Sequence, residues 1–175
     1  YTRSFNYPED SFIKSLQDVE RLGIKTFFCS NVCAVYNREI YENMGGFVKK
    51  AIFNEDMIYA GHAVNAGYCI AYAAEACVQH SHNYTCMQQF HRNFDLGVSQ
   101  AEHPEVFDIV SSEQEGMKLV RDTIRHLRKT GHRVLIPYLF VSSAFKLIGY
   151  QLGKHFQSLP LRMVRWCSAS KTYWD

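Results

Sequence analysis

The chain has 175 residues, 47% of them hydrophobic, with 19 Lys and Arg against 17 Asp and Glu. This composition excludes a disordered chain, and the length allows one domain that buries roughly two thirds of its unfolded surface. There is no recognisable signal peptide or Arg-rich leader, and the first residues resemble an arbitrary start within a longer protein. We therefore expect part of a folded cytoplasmic protein.

The net charge of +2 hides an uneven distribution. Residues 1–117 carry a net charge of −7, whereas residues 118–175 hold 11 Lys and Arg and 2 Asp and Glu, a net charge of +9. A basic C-terminal third can face an anionic membrane, a nucleic acid or an acidic partner. It can equally well complement the acidic part of the same chain, and the sequence leaves both open.

Six cysteines are present, and none belongs to a Cys-x-x-Cys pair. Most lie beside apolar residues, a pattern typical of buried, reduced thiols in a cytoplasmic protein. The cysteine pattern therefore favours free core thiols over disulfides or a zinc site.

Predicted helices and strands alternate up to about residue 85. In chain order they are a helix over 9–22, a strand over Phe27–Tyr36, helices over Arg38–Met44 and Glu55–Ala66, and strands over Tyr68–Ala73 and Cys77–His80. Such alternation indicates an α/β layer. A glycine ends each of the two later helices, Gly45 the first and Gly67 the second.

Only helical periodicity follows Thr85. The predicted helices begin near Met87 and cover Glu113–Lys129 and Val134–Gly149, with a basic segment over Gln157–Cys167. We therefore place a boundary near residue 85, between an α/β domain over 1–85 and a helical, basic extension over 86–175.

The apolar run Val134–Phe145 is 12 residues long. Crossing a bilayer takes about 20 residues, so the run predicts a core helix or a helix at a membrane surface. Phe145, Ile148, Leu152 and Phe156 share one helical face, and Lys146 and Lys154 lie nearby. That pattern suits surface binding to a membrane, although packing of this face on the domain is the simpler alternative.

Two adjacent carboxylates, Glu55 and Asp56, fall in the first turn of a predicted helix, just after Asn54. The helix dipole favours negative charge there, by about 0.3–1 kcal/mol, so both are expected to be ionised at neutral pH. An ionised Asp in a polar cleft can accept a proton from an attacking hydroxyl. Ordinary capping, with Asn54 as the N-cap, is the competing interpretation.

Other polar residues have two interpretations each. His80 and His82, two apart at a predicted strand end, point to one side and can bind a metal or a phosphate. They can also simply hydrogen-bond the backbone. Arg38 can bind an anion with two hydrogen bonds or lie on the helix surface. His91, Arg92 and Asp95 can line the same cleft or a solvated helix face.

The ordered series of motifs resembles the second half of a family 2 glycosyltransferase. The matching segments cover about residues 27–100, and in order they are Ser30-Asn31-Val32-Cys33-Ala34-Val35-Tyr36-Asn37-Arg38, Gly45-Gly46-Phe47, Asn54-Glu55-Asp56 and His80-Ser81-His82-Asn83-Tyr84-Thr85. The pattern is most similar to bacterial rhamnosyltransferase-like members, which build cell-surface polysaccharide.

This resemblance implies a GT-A fold and transfer of a sugar, with inversion, from a nucleoside-diphosphate donor to an acceptor hydroxyl. Asp56 matches the catalytic base of the family, and Glu55 matches its acidic neighbour. His80 or His82 lies where some GT-A enzymes place a residue that touches the metal–diphosphate. The residues expected to bind substrate are Asn31, Arg38, Gly45, Gly46, Phe47 and Asn54.

The chain also departs from the family pattern. It has no nucleotide-binding β-α-β start and no Asp-x-Asp motif upstream of the matching segments, and Tyr36-Asn37-Arg38 replaces an Arg-Arg pair common in relatives. We therefore predict that residues 1–85 are the C-terminal half of a GT-A catalytic domain, and that the 175 residues are inactive alone. Mg²⁺ or Mn²⁺ is expected only in the complete protein, with none bound to these residues.

The implied partners are the nucleoside-diphosphate sugar and a glycan or lipid-linked acceptor, but no nucleic acid. We expect the basic tail to dock on the inner face of the cell membrane, and the truncated surface to favour a homo-oligomer. The main rival is a non-catalytic membrane-binding or oligomerisation module. A His/Cys metal protein is the second rival.

Overall fold

Helices make up most of the molecule. The computed structural model describes residues 6–80, 82–108 and 112–175, without the side chains of 112–114. The α-helices of these ranges are α1 (Val19–Leu22), α2 (Arg38–Asn43), α3 (Glu55–Asn65), α4 (Cys86–Glu102), α5 (Pro104–Phe107), α6 (Ser112–Lys129), α7 (Ile136–Lys154) and α8 (Leu161–Cys167). The strands are β1 (Phe12–Lys14) and β2 (Ile70–Tyr72). Of the predicted α/β layer, the described residues therefore show only a small two-stranded sheet beside many helices.

The two strands pair antiparallel, with Phe12 opposite Tyr72 and Lys14 opposite Ile70. The facing rings of Phe12 and Tyr72 lie 5.4 Å apart, a cross-strand pair of the kind that stabilises sheets. The predicted strand over Tyr68–Ala73 is therefore confirmed. The predicted helix over 9–22 is wrong for its first half, because that half forms β1.

The predicted strand over Phe27–Tyr36 is wrong. This segment has no regular structure, and neither does Cys77–His80, also predicted as a strand. Lys14 explains part of the difference, because its buried ammonium donates hydrogen bonds to the carbonyls of Lys25 (3.1 Å) and Phe28. Those bonds fix the chain in a turn that ends with the fully buried Phe27, so the backbone is not free to join a sheet.

Two hydrophobic clusters form the core. The first consists of Ile24, Phe27, Ile58, Val64, Val106 and Phe107. The second consists of Ile52, Phe90, Phe94, Val98, Val164 and Cys167. Each cluster draws residues from both sides of position 85, although α4 does begin at Cys86, with Thr85 as its N-cap. The boundary near residue 85 remains a prediction.

Helices α4 and α7 approach unusually closely, and glycines allow it. A Cβ atom on Gly149 would lie 2.3 Å from the carbonyl oxygen of Phe90, and one on Gly153 would lie 2.1 Å from that of Phe94. Both distances are far inside van der Waals contact, so a larger residue at either position would push the helices apart. Gly97 of α4 makes the same kind of approach to α7.

Helix α7 differs from its prediction in length. Together with the preceding turn, α7 spans the 22 residues Arg133–Lys154. By length and composition alone this helix could cross a membrane. Only 6% of its most apolar 18-residue stretch is buried. The helix predicted over Val134–Gly149 ended five residues too early, since α7 continues to Lys154. Phe145, Leu152 and Phe156 pack against the second core cluster, which is the alternative in which this face packs on the domain.

The cysteines are all free, but the predicted burial is wrong for three of the six. Cys167 is buried and Cys29 and Cys86 are half-buried, whereas Cys33, Cys69 and Cys77 are exposed. The exposed thiols lie in irregular segments or turns, where neighbouring apolar residues in the sequence do not produce a core.

Candidate functional site

Asp56 lies in the first turn of α3, where two backbone N–H groups orient its carboxylate. Oδ2 accepts a hydrogen bond from the N–H of Asn31 at 3.1 Å, and Oδ1 accepts one from the N–H of Met57 at 2.8 Å. None of the ion pairs found among the described residues involves Asp56. The carboxylate is half-buried, and is therefore fixed by neutral donors without being neutralised.

Asn31 connects this carboxylate to its neighbours. Its side-chain Nδ2 donates to Glu55 Oε1 at 3.1 Å, and its Oδ1 accepts from the hydroxyl of Tyr36 at 2.6 Å. The thiol of Cys29 completes the group, 3.5 Å from the carbonyl oxygen of Asp56. Asn31 itself is exposed, as are the following residues 32–35. The carboxylate pair therefore borders a solvent-accessible loop.

Burial raises the pKa of the Asp56 carboxyl above its ordinary value, and the neighbouring charge of Glu55 raises it further. The N–H donors of Asn31 and Met57 act in the opposite direction. Desolvation is the largest cause of the raised pKa. It opposes the effect of the helix dipole, which favours the ionised carboxylate. A carboxylate that is partly desolvated binds a proton more readily than one in water. The position thus has the property that a general base needs.

Asn54 precedes the pair in a left-handed conformation, with φ of 61°. Asn is one of the few residues other than glycine that adopt this region readily. Its side chain makes no capping hydrogen bond, and its buried Nδ2 has no partner. Asn54 therefore occupies the N-cap position that the capping interpretation gave it, but its side chain does not cap the helix. Its conformation instead turns the chain so that Glu55 and Asp56 enter the helix beside Asn31.

Four aromatic rings pack together next to the Asp56 site. Of these four, only Phe47 was predicted from the sequence as a site residue. Each ring lies within 5.2 to 5.9 Å of the other three, mostly edge to face. We call this group the aromatic cluster, and its members are Tyr36, Tyr41, Phe47 and Tyr59. Burial raises the pKa of the Tyr36 phenol, which remains a hydrogen-bond donor to Asn31. The cluster thus fixes the ring that positions Asn31.

The glycine pair connects α2 to this cluster. Gly45 and Gly46 both have positive φ, 79° and 70°. A Cβ atom on Gly46 would lie 2.9 Å from the ring of Tyr41, and the N–H of Phe47 donates to the Tyr41 hydroxyl at 3.1 Å. The turn therefore places Phe47 against Tyr36. Its predicted contact with substrate remains a prediction.

Arg38 lies away from this network. Its side chain is 89% exposed and pairs with Glu42 one turn along α2, at 2.7 Å. The structure therefore shows the surface arrangement, and the predicted binding of an anion stays a prediction.

His80 and His82 form a separate group. Their Nε2 atoms lie 3.0 Å apart, and His82 stacks on Tyr84. The guanidinium of Arg92 lies over Tyr84 at 4.7 Å and over Phe53 at 5.0 Å. Ser81, between the two histidines, lies outside the described residues. Phe53 directly precedes Asn54, so the contact of Arg92 with Phe53 places this group next to Asn54.

A divalent metal has few ligands in the described part of the chain. No cluster of three or more His, Cys, Asp or Glu side chains suitable for a metal ion occurs there. Two histidine nitrogens alone do not make a Mg²⁺ or Mn²⁺ site, since these ions prefer several oxygen ligands. The residues described here therefore do not by themselves fit the metal that the resemblance implies.

His91 and Asp95 do not line this site. His91 Nδ1 lies 2.7 Å from the carbonyl oxygen of Cys167, and Asp95 Oδ2 accepts the N–H groups of Ala169 and Ser170 at 3.1 and 3.2 Å. Asp95 is only 2% exposed. Both residues fasten the C-terminal segment to α4, which is a structural role.

A cavity of about 430 Å³ lies between the segment Lys50–Ile52 and the C-terminal residues, with Tyr173 in its wall. Another of about 390 Å³ lies along α6, beside Arg121, Arg125 and Arg128. Neither is lined by Asp56. The carboxylate lies beside the exposed loop of residues 31–35, which further parts of a larger protein can cover.

Comparison with known proteins identifies the relatives. The chain is 45% identical over 176 aligned residues to the O-antigen chain rhamnosyltransferase WbaN of Salmonella anatum, and 44% identical to RfbN of Salmonella typhimurium. The chain is similar over its whole length to O-antigen chain rhamnosyltransferases. It spans 56% of the length of each relative. No protein-family profile matches the chain, and neither does any solved structure.

The predicted resemblance to rhamnosyltransferase-like proteins is thereby confirmed. The assignment to family 2 and the GT-A fold remains a prediction, since neither relative's name specifies it. The aligned region covers 100% of the chain and therefore includes the positions of the Asn31–Asp56 network.

Proposed function

We propose that the chain carries the base-bearing part of an inverting rhamnosyltransferase of the GT-A type, acting in O-antigen-like polysaccharide synthesis. The observation that carries this proposal is the half-buried Asp56 carboxylate, oriented by Asn31 and Met57 and free of any described cationic partner. Similarity to two O-antigen rhamnosyltransferases along the whole chain supports the choice of reaction.

In the proposed reaction the acceptor hydroxyl attacks the anomeric carbon of a nucleoside-diphosphate rhamnose. A glycosidic C–O bond forms as the bond to the diphosphate oxygen breaks, and the nucleoside diphosphate leaves. Asp56 takes the hydroxyl proton, and its raised pKa suits that role. Glu55 holds Asn31 in place and contributes negative charge beside the base.

The donor's nucleotide, and any Mg²⁺ or Mn²⁺ bound to its diphosphate, are proposed to be held mainly by parts of the relatives that these residues do not cover. His80 and His82 are the described residues that remain candidates for contact with the diphosphate. We accordingly propose that the 175 residues alone do not catalyse sugar transfer. The acceptor is proposed to be a lipid-linked glycan at the cytoplasmic face of the membrane.

The test uses the complete natural protein with Asp56→Asn, and Asp10→Asn as the matched control. Asp10 is exposed near the start of the described chain. Loss of the general base is expected to lower the rate of rhamnosyl transfer by at least about 10²-fold, without lowering the melting temperature at neutral pH. NMR of the product should show inverted configuration at the anomeric carbon. Wild-type turnover by Asp56→Asn, or a retained configuration, would overturn the proposal.

A further inference from the structure

The outward side of α7 and the turn before it is apolar along its whole length. Residues at spacings of three and four lie on one side of a helix, and here that side is exposed. We call this set the docking face, and its members are Val134, Pro137, Tyr138, Phe140, Val141, Ala144, Leu147 and Ile148. The large side chains among them are 51% to 84% exposed. Contiguous apolar surface above a few hundred Å² generally marks an interaction site.

The inward side of the same helix is mixed, because polar residues share it with Phe145 and Leu152, which pack against the second core cluster. Ser142, Ser143 and Lys146 are half-buried toward the protein, and Gly149 and Gly153 are buried against α4. A helix on the surface of a soluble domain normally has the opposite arrangement, with its polar side in water. The orientation is fixed by the close glycine contacts with α4, so α7 cannot rotate to hide its apolar side.

The surroundings of this face are strongly basic. Residues 118–175 contain only two carboxylate side chains, and each pairs with an arginine of the same segment, Asp122 with Arg125 and Asp175 with Arg165. A stripe of exposed cations runs along the neighbouring helix α6, at Lys118, Arg121, Arg125 and Arg128. An ion pair between Lys154 and Asp108 connects this basic segment to the acidic part of the chain, but most of its positive charge remains exposed.

The position of α4 limits how deeply α7 can enter a bilayer. Helix α4 packs along α7 and carries Arg92, Asn93, Asp95 and Glu102. Ionised side chains are costly in the hydrocarbon core, so the pair does not cross the membrane together. An orientation parallel to the surface places the apolar side in lipid and leaves α4 on the water side.

We propose that the docking face binds an anionic lipid bilayer, with the α7 side chains among the acyl chains near the headgroups and the α6 cations at the lipid phosphates. This inference rests on exposure and charge, not on the transfer reaction. Either proposal can therefore fail without the other.

The apolar arm of the test is flotation of the purified protein with phosphatidylcholine vesicles and with equal mixtures of phosphatidylcholine and phosphatidylglycerol. Val141→Gln with Ile148→Gln is compared with Val78→Gln and Ile13→Gln. All four residues are between 51% and 66% exposed. The α7 pair should weaken binding to the mixed vesicles about tenfold, and the control pair should leave it unchanged. Thermal melting verifies that both variants fold.

The charge arm uses Arg121→Gln with Arg128→Gln, and Arg21→Gln with Lys49→Gln as the control. The α6 pair should weaken binding to the anionic vesicles about tenfold and leave the weak binding to neutral vesicles unchanged. Added salt should weaken anionic binding in the wild type.

Two outcomes would overturn the proposal. One is equal or absent binding to both kinds of vesicle. The other is a dimer in sedimentation velocity that Val141→Gln with Ile148→Gln dissociates, without vesicle binding. That result would assign the face to a second copy of the chain.

Discussion

The backbone N–H of Asn31 donates to Oδ2 of Asp56 across 3.1 Å, although 25 residues separate them in the chain. The same residue's amide donates to Glu55 and accepts from Tyr36. An irregular loop thus holds two consecutive carboxylates in different ways, one through its backbone and one through its side chain. A side-chain substitution can therefore disturb Glu55 and leave the direct contact with Asp56 in place.

Asn31→Ala should lower the rate of sugar transfer by the complete protein more than it lowers stability. The substitution removes the hydrogen bonds to Glu55 and Tyr36, each worth about 1 kcal/mol or less at an exposed position, and keeps the N–H to Asp56. Transfer kinetics and urea unfolding measure the two effects. Asn43→Ala, at an exposed position at the end of α2, is the control and should change neither. Unchanged transfer by Asn31→Ala would show that the side chain does not organise the site.

Stability should depend on pH through Asp56. Burial raises its pKa in the folded state, so the folded protein holds the proton more tightly than the unfolded chain does. The contribution of this group is therefore most favourable at acidic pH and is lost as the pH rises through the folded pKa. Asn cannot ionise, so the free energy of unfolding of Asp56→Asn relative to wild type should increase from acidic to neutral pH. Urea titrations across that range measure it, and a constant difference would contradict the argument.

Gly149→Ala or Gly153→Ala should destabilise the protein by about 1–3 kcal/mol, because the added methyl group overlaps a carbonyl oxygen of α4. Gly116→Ala in α6 is the matched control, since a Cβ atom there meets nothing within 4 Å. That substitution should stabilise by up to about 1 kcal/mol through helix propensity. Chemical denaturation gives both values. Equal effects would mean that α4 and α7 pack less closely than described.

Gly46→Ala should cost more stability than Gly45→Ala. Both positions have positive φ, so both substitutions are strained by about 1 kcal/mol. Only the methyl group at Gly46 overlaps the ring of Tyr41. The additional loss should be accompanied by a change in near-ultraviolet circular dichroism, because it displaces a ring of the aromatic cluster. An identical spectrum and identical stability in the two variants would contradict this.

The longer helices could be predicted from the sequence because their periodicity persists over several turns. Helices α3, α4, α6 and α7 all lie where the pattern placed them, within a few residues except at the end of α7. The orientation of α7 could not be predicted in the same way. Apolar residues occur on more than one side of it, and the glycine contacts with α4, which only the fold reveals, decide which side is packed.

The failed strands have a different cause. A segment rich in Val, Tyr and Cys becomes a strand only if a neighbouring strand pairs with it, and in the described part of the chain no strand pairs with Phe27–Tyr36. The same limit applies to the site. The pair Glu55-Asp56 was visible as a motif, but Tyr41 and Tyr59 carry no local signal that they meet Tyr36 and Phe47. Only long-range folding brings these rings together.

The contacts of Asp95 determine which substitutions the C-terminal segment tolerates. Its buried carboxylate accepts the backbone amides of Ala169 and Ser170, and a backbone donor is available from any residue except proline. The exposed side chain at position 169 is therefore free to vary in evolution, whereas the side chain of Ser170 also hydrogen-bonds the carboxyl group. A proline there, or a single inserted or deleted residue just before them, would leave the buried Asp95 carboxyl group without these donors, which proteins seldom tolerate.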